Sequence, residues 1–318
     1  MQKLLVILGP TSSGKSNLAV DLALKFNGEI VSADSRQVYR KLNLSTGKIT
    51  KKEMKGIKHY CLDIANPKKR FSVANFNKKA IKAIKKIHKK NKLPILCGGT
   101  GFYIDSIVKG NSIPKVKPDW KLRNELEKLT TEELFAKLQK LDIQRSENID
   151  KNNRRRLIRA IEIVEKTKQP IPKITQNRQY DILQIGIMRN DLKQRIHDRL
   201  LQRLNQGMVE EIKKTKLSYS RLEELGLEHK YITYYLQGKL NYNEMIEQLE
   251  REIIHYSRRQ MTWFKRENTI HWVTNKKQAF GLVQRFLNIA SGKEDSSSSP
   301  LSSPHSDADL LLGCEDPE

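Results

Sequence analysis

The sequence is poor in cysteine, in acids and in long apolar runs, and each shortage closes off a class of function. Its 318 residues hold three cysteines, Cys61, Cys97 and Cys314, far apart and with no C-x-x-C pair. That pattern argues against the usual zinc sites and against a disulfide framework, and suits a reducing, cytoplasmic setting. No stretch approaches a membrane span, and the apolar run Leu4–Leu8 is too short for a secretory leader. H-E-x-x-H is missing. So is D-x-x-G, and Asn275-Lys276-Lys277-Gln278 misses the N-K-x-D pattern at its last position, so a GTPase reading fails. There are no internal repeats.

The shortage of acids has a sharper consequence. Net charge is +24, from 60 Lys and Arg against 36 Asp and Glu. The segment Ser291–Glu318 holds one lysine and seven acids, a net of −6, which leaves +30 on residues 1–290. A polyanionic partner such as nucleic acid explains that surplus, although a generally lysine-rich surface would look the same in composition. Residues 291–318, with Ser296–Ser299, Pro300 and Pro304, read as a disordered low-complexity tail.

What is present begins at the N-terminus. Gly9-Pro10-Thr11-Ser12-Ser13-Gly14-Lys15-Ser16 meets every fixed position of G-x-x-x-x-G-K-[ST]. The apolar run before it predicts a strand and Asn17–Ala23 after it a helix, the context such a phosphate-binding loop needs. Gly9 and Gly14 let the backbone curl so that successive N–H groups face one anion, with the helix N-terminus behind them. Lys15 brings a full charge, and the Ser16 hydroxyl is placed to ligate Mg2+. The ligand is therefore a diphosphate or something longer; the loop does not say what is done with it.

Further strands are predicted at Glu29–Ser32, Leu93–Cys97 and Ile182–Met188. Helices are predicted at Phe76–Lys90, with lysines opposite the apolar face, and at Glu125–Lys140. Another helix opens at Asn153-Arg154-Arg155-Arg156 and ends before Pro170 and Pro172. From Leu192 to Arg266 the pattern is mostly helical, and Gln278–Ile289 reads as a short closing helix. Alternating strands and helices imply an α/β fold: a P-loop NTPase-like parallel sheet flanked by helices, with an inserted all-helical domain. The expected division is a catalytic core from residues 1–113 and 181–290, a helical insertion over 114–180, and the tail. Ligands of such sheets sit beyond the carboxyl ends of the strands. The loop at 9–16, Asp34 and Gly98-Gly99-Thr100 all fall there. Asp34 suits a general base or a metal-shell carboxylate, and equally a helix N-cap. Asn153–Arg156 and Arg258-Arg259 are basic clusters whose plainest reading is a solvated face. A kinase acting on a small acceptor stays open at this point, as does an RNA-binding protein with a merely structural loop.

Taken in order, Gly9–Ser16, Asp34-Ser35-Arg36-Gln37-Val38-Tyr39, Gly98-Gly99-Thr100-Gly101-Phe102-Tyr103, Asn153–Arg156 with Arg159-Ala160-Ile161-Glu162, and Arg258-Arg259-Gln260-Met261-Thr262-Trp263-Phe264 resemble the tRNA dimethylallyltransferases. The resemblance covers nearly everything to about residue 290. It implies transfer of a dimethylallyl group from dimethylallyl diphosphate to N6 of adenosine 37 in the anticodon stem-loop of tRNA, by a monomer that needs Mg2+. It further implies Asp34 as the catalytic carboxylate, with Lys15 and Thr100 beside it. Contacts to tRNA are implied for Asp34, Ser35, Arg36, Gln37, Thr100, Arg123 and Asn153, Arg154, Arg155 and Arg156. One departure stands out. Where many members carry Gly-Tyr-Arg/Lys, this chain has Gly226-Leu227-Glu228-His229-Lys230.

Overall fold

In the computed structural model the chain is described over residues 1–110, 116–171 and 179–288. The expected tail therefore lies outside the described residues. Strand β1 (Gln2–Leu8) leads into helix α1 (Lys15–Lys25) and strand β2 (Gly28–Ser32). Next come α2 (Lys51–Met54), β3 (His59–Tyr60), α3 (Val73–His88), β4 (Leu93–Gly98) and α4 (Gly101–Val108). Four helices follow: α5 (Trp120–Leu126), α6 (Thr131–Leu141), α7 (Ile143–Glu147) and α8 (Arg154–Thr167). The chain then forms β5 (Tyr180–Ile187), α9 (Leu192–Asn205), α10 (Met208–Lys214), α11 (Tyr219–Leu225) and α12 (Leu227–Leu236). Last come the long α13 (Tyr242–Phe264), β6 (Ile270–Val273) and α14 (Lys276–Asn288).

The strands form one sheet in the order β3-β2-β4-β1-β5-β6, with every pairing parallel. Both faces are covered, which is why the strands are apolar runs without polar alternation. In β1 the side chains divide by parity: Leu4, Val6 and Leu8 enter the core shared with α3, α4 and α9–α13, whereas Leu5 and Ile7 enter the core under α1 and α14. Helices α5, α6 and α8 enclose a separate apolar cluster around Leu134, Leu138, Leu157 and Ile161.

Two differences from the expected elements have simple causes. The amphipathic run 125–140 is two helices, because Thr130 caps α6 in a full capping box with Glu133 and so starts a new axis. The edge strands β3 and β6 were not anticipated. β3 is two residues long, and β6 exposes His271 between buried Ile270 and Val273.

Candidate active site

Because β2, β4 and β1 are neighbours, the loops that follow them meet at one end of the sheet. The backbones of two of these loops are joined directly: Ala33 N–H donates to the Cys97 carbonyl (2.8 Å) and Thr100 N–H to the Ala33 carbonyl (3.2 Å). A Cβ on Gly98 would lie 2.1 Å from the Ala33 oxygen, so only glycine permits this approach.

The loop after β1 has the curl expected of it. Gly14 sits at φ 88° as the N-cap of α1, a conformation costly for any side chain. Lys15 Nζ donates to the Pro10 carbonyl (2.9 Å), folding the ammonium back over its own loop. Desolvation lowers the Lys15 pKa; Arg199 acts in the same direction, and Asp34 opposes it. Lys15, Ser16, Asp34, Gln37, His59 and Cys97 line one narrow crevice. It adjoins a wider cavity of about 300 Å³ bounded by Ser12, Gly14, Lys15, Gly47, Arg195 and Arg199.

Asp34 caps a turn and not a helix, since no helix begins between β2 and Lys51. Its Oδ1 accepts from the backbone N–H of Arg36 (2.8 Å) and Gln37 (3.2 Å), which fixes the turn after β2. Its Oδ2 accepts no hydrogen bond among the described residues and remains available to a ligand. Thr100 Oγ1 accepts from Ser35 N–H (3.0 Å), holding that turn to the start of α4. The half-buried Tyr256, reaching in from α13, bonds Thr100. Its phenol is pushed up to about 12 by burial and by the nearby Asp34 charge, so it stays neutral.

Several residues that shape the site carry no local motif. Arg195 Nε donates to the Ser12 carbonyl (2.9 Å), Arg189 Nε to the Ser13 carbonyl (3.3 Å), and Arg199 Nη2 to the Gly47 carbonyl (2.8 Å). The signal that could have found them is the i, i+4, i+8 spacing of Arg195, Arg199 and Arg203 along one face of α9. Gln260, inside the motif on α13, accepts from Thr11 N–H at Oε1 (2.8 Å) and donates from Nε2 to the Gly99 carbonyl (2.8 Å). This one side chain clamps the phosphate loop to the glycine turn.

The other basic residues lie on the helices between β4 and β5. Arg123 meets Glu162 in a fork, Nε to Oε1 at 2.8 Å and Nη2 to Oε2 at 2.7 Å. The Glu162 side chain is fully buried, and it also accepts from Asp119 N–H and Arg159. Burial alone would raise its pKa, but these donors, Arg123 first, hold it below the usual carboxylate range. Asn153 caps α8 by accepting from Arg156 N–H, and Arg154 donates to the Glu127 carbonyl. Arg155 and Arg156 are exposed. In the divergent segment, Glu228 pairs with Arg203 at 2.9 Å and Lys230 lies over the rings of Tyr231 and Tyr234.

Among the described residues no group of three or more His, Cys, Asp or Glu gathers as a metal nest. The crevice offers two hydroxyl side chains, Ser16 on the phosphate loop and Ser32 at the end of β2, and one carboxylate, Asp34. That sparse set fits Mg2+, which keeps waters and takes phosphate oxygens as its other ligands.

Comparison with known proteins points in one direction. The family model described as IPP transferase matches residues 37–267. The tRNA dimethylallyltransferase of Acetivibrio thermocellus is 39% identical over 287 residues, 86% of this chain and 92% of that protein. The tRNA dimethylallyltransferase 1 of Azobacteroides pseudotrichonymphae is 42% identical over 286 residues, 85% and 92% of the two chains. Among solved structures, the tRNA isopentenylpyrophosphate transferase of Bacillus halodurans superposes with a TM-score of 0.64 at 33% identity, covering 92% of this chain and 96% of that one. A eukaryotic dimethylallyltransferase acting on tRNA superposes at 0.76 with 27% identity, covering 92% and 79%.

Proposed function

The chain belongs to the IPP transferase family, and on that premise we propose that it transfers a dimethylallyl group from dimethylallyl diphosphate to N6 of adenosine 37 in the tRNA anticodon loop. The observation that carries this reading is that Lys15, Ser16 and Asp34 line the same crevice. A diphosphate cradle and an open carboxylate thus face one space. In the reaction the allylic C1–O bond breaks and an N6–C1 bond forms. The electron pair leaves with the diphosphate, and the proton leaves N6.

Lys15 and the loop N–H groups face the charge that develops on the leaving diphosphate, where fixed donors contribute most. Thr11 N–H is already held by Gln260 and Ser13 N–H by the Pro10 carbonyl, so the other N–H groups of the loop do this work. Asp34 Oδ2 accepts the hydrogen bond, then the proton, of the N6 amine. Its Oδ1 is held by Arg36 and Gln37 N–H, so the carboxylate is oriented before substrate arrives. Thr100 and Tyr256 fix the wall beside it. A bound Mg2+, held by Ser16 and phosphate oxygens, would offset diphosphate charge. To reach Asp34 the adenine leaves its stack, with Ser35, Arg36 and Gln37 at the mouth and the exposed Arg155 and Arg156 on phosphates further up the stem.

The chain is proposed to act as a monomer in the cytoplasm; among the described residues no helix is long and apolar enough to cross a membrane. Incubation of bulk unmodified tRNA with dimethylallyl diphosphate and Mg2+, followed by nucleoside analysis, tests the activity. N6-dimethylallyladenosine is expected. Phosphorylation of a small acceptor from ATP without tRNA would instead favour the kinase reading.

A further inference from the structure

Of the three tryptophans, Trp263 and Trp272 pack against the core, whereas Trp120 is 48% exposed. Trp120 is the first residue of α5, and its backbone is fixed by the residue before it. Asp119 N–H donates to the buried Glu162 (2.6 Å), and the Asp119 carboxylate caps the helix by accepting from Leu122 N–H (3.1 Å). The ring is held as well. The guanidinium carbon of Arg70 lies 4.3 Å from the ring centroid, and that of Arg123 5.1 Å. Neither arginine is free to swing away, because Glu224 binds Arg70 in a fork and Glu162 binds Arg123 in another. Both cations already have carboxylate partners, so neither needs the indole for its charge.

A line of contacts joins this ring to the crevice. Glu224 also accepts from Arg221 Nη1 (2.7 Å), and Arg221 Nη2 donates to the hydroxyl of Tyr39 (3.3 Å), which ends the segment that begins at Asp34. Gly226, just past Glu224, lies against Arg36: a Cβ there would be 3.4 Å from Arg36 Nη2. Trp120 thus stands on the rim of the crevice mouth, where α5 meets Arg70 of the sheet domain. Beside Arg70 and Trp120 in sequence, Lys68, Lys69, Lys117 and Lys121 are exposed, with no ion-pair partner among the described residues. A rigid, open aromatic face among cations suits an unstacked base, because every base has a π-face to lay on it.

Resting on the tRNA reading above, we propose that the Trp120 indole is a stacking platform for one unpaired base of the anticodon loop, other than the adenine that enters the crevice. Drawing the adenine out of its stack uncovers a face of the neighbouring base. Trp120 supplies a replacement surface and so fixes the register of the loop over Asp34. Because the ring is pinned before the base arrives, little conformational freedom is lost on binding. Glu162 then acts as a positioning residue, since it holds the ring through Asp119 and Arg123. Stacking releases no counterions, so the platform adds affinity without adding to the salt dependence that phosphate contacts bring.

The test uses an unmodified anticodon stem-loop, intact or with one abasic nucleotide at each unpaired position in turn. Its affinity is measured for the full chain and for the Trp120→Ala and Trp120→Phe variants. With the intact stem-loop, Trp120→Ala should weaken binding roughly 5- to 150-fold, the range for losing one stacked base. The salt slope should not change, and KM should rise for tRNA but not for the diphosphate donor. Trp120→Phe should recover most of the loss. At one loop position the abasic nucleotide and Trp120→Ala should weaken binding to about the same extent, and together no more than either alone. Losses that add at every position, or an unchanged affinity in Trp120→Ala, overturn the proposal and leave the tRNA reading standing. So does a loss shared by Trp120→Phe and matched by a lower unfolding midpoint, which would make the ring a structural brace. Failure of the unmutated chain to bind the intact stem-loop overturns both.

Discussion

The crevice at the ends of β1, β2 and β4 and the helical region α5–α8 are both built on charge, and they use it in opposite ways. In the helical region the buried Glu162 is saturated: Arg123 and Arg159 donate to it, as does Asp119 N–H. The helix starts are conventional, with Thr130 and Asn153 each capping its helix. In the crevice, charge is oriented but not used up. Among the described residues Lys15 Nζ bonds only the Pro10 carbonyl, and Asp34 spends one oxygen on its own turn and leaves the other open. Gly14, at φ 88°, lets the loop curl at the start of α1. Saturated charge holds a fold together, and unsaturated, pre-oriented charge awaits a ligand. By that criterion Arg123, which the family resemblance assigns to tRNA, has its guanidinium committed to the protein, whereas Arg155 and Arg156 do not.

The largest effect should come from the crevice. Asp34→Ala should lower turnover by roughly 10²–10⁴, the range for losing a positioned acid or base, with tRNA affinity nearly unchanged in a filter-binding or fluorescence assay. Turnover close to that of the unmutated chain would remove Asp34 from the chemistry.

On the saturated side, Glu162→Ala strands two arginines beside a buried gap and should cost about 3–5 kcal/mol of stability, read by denaturant unfolding. The pH dependence follows from the depressed carboxylate. Its contribution is complete above the unfolded value of 4.5 and disappears as pH falls through the lower folded value, so the difference between Glu162 and Glu162→Gln chains should shrink below that pH. A difference that grew in acid would mean that Glu162 is not held ionised.

Gln260→Ala joins the two regimes, since it is a saturated group serving an unsaturated site. Loss of its two hydrogen bonds should cost roughly 1–3 kcal/mol. We expect most of it in KM for the diphosphate donor and in kcat, with little in tRNA affinity. A pure stability loss would make the clamp merely structural.

The smallest effects separate the arginines. Arg155→Ala and Arg156→Ala should each lower the salt slope of tRNA binding by about 1 and leave thermal stability unchanged. Arg123→Ala should lower stability and leave the slope alone. The reverse pattern would make Arg123 a tRNA contact and Arg155 and Arg156 structural.

What could be read from the sequence follows from how local each feature is. β1, β2, β4 and β5 are apolar runs that end in turns, and the phosphate loop is contiguous, so both were legible. β6 was not, because an edge strand with His271 exposed breaks the apolar run. The helix boundary at Thr130 was passed over because the periodicity continues across it. In the crevice, Arg189, Arg195 and Gln260 come from more than 170 residues beyond the phosphate loop that they support, and Tyr256 comes from the far helix α13 to Thr100. Only the parallel sheet brings them there. The Arg123–Glu162 fork spans 39 residues, and nothing around Arg123 marks it as internally paired.

The central claim is that the phosphate loop holds a leaving diphosphate while carbon, not phosphorus, is transferred. Dimethylallyl diphosphate carrying oxygen-18 in the bridging C1–O position tests it most directly, with unmodified tRNA as acceptor and mass analysis of both products. N6-dimethylallyladenosine free of label and diphosphate that keeps the whole label are expected. Label retained in an allylic alcohol, or a phosphorylated acceptor, would show cleavage at phosphorus and contradict it.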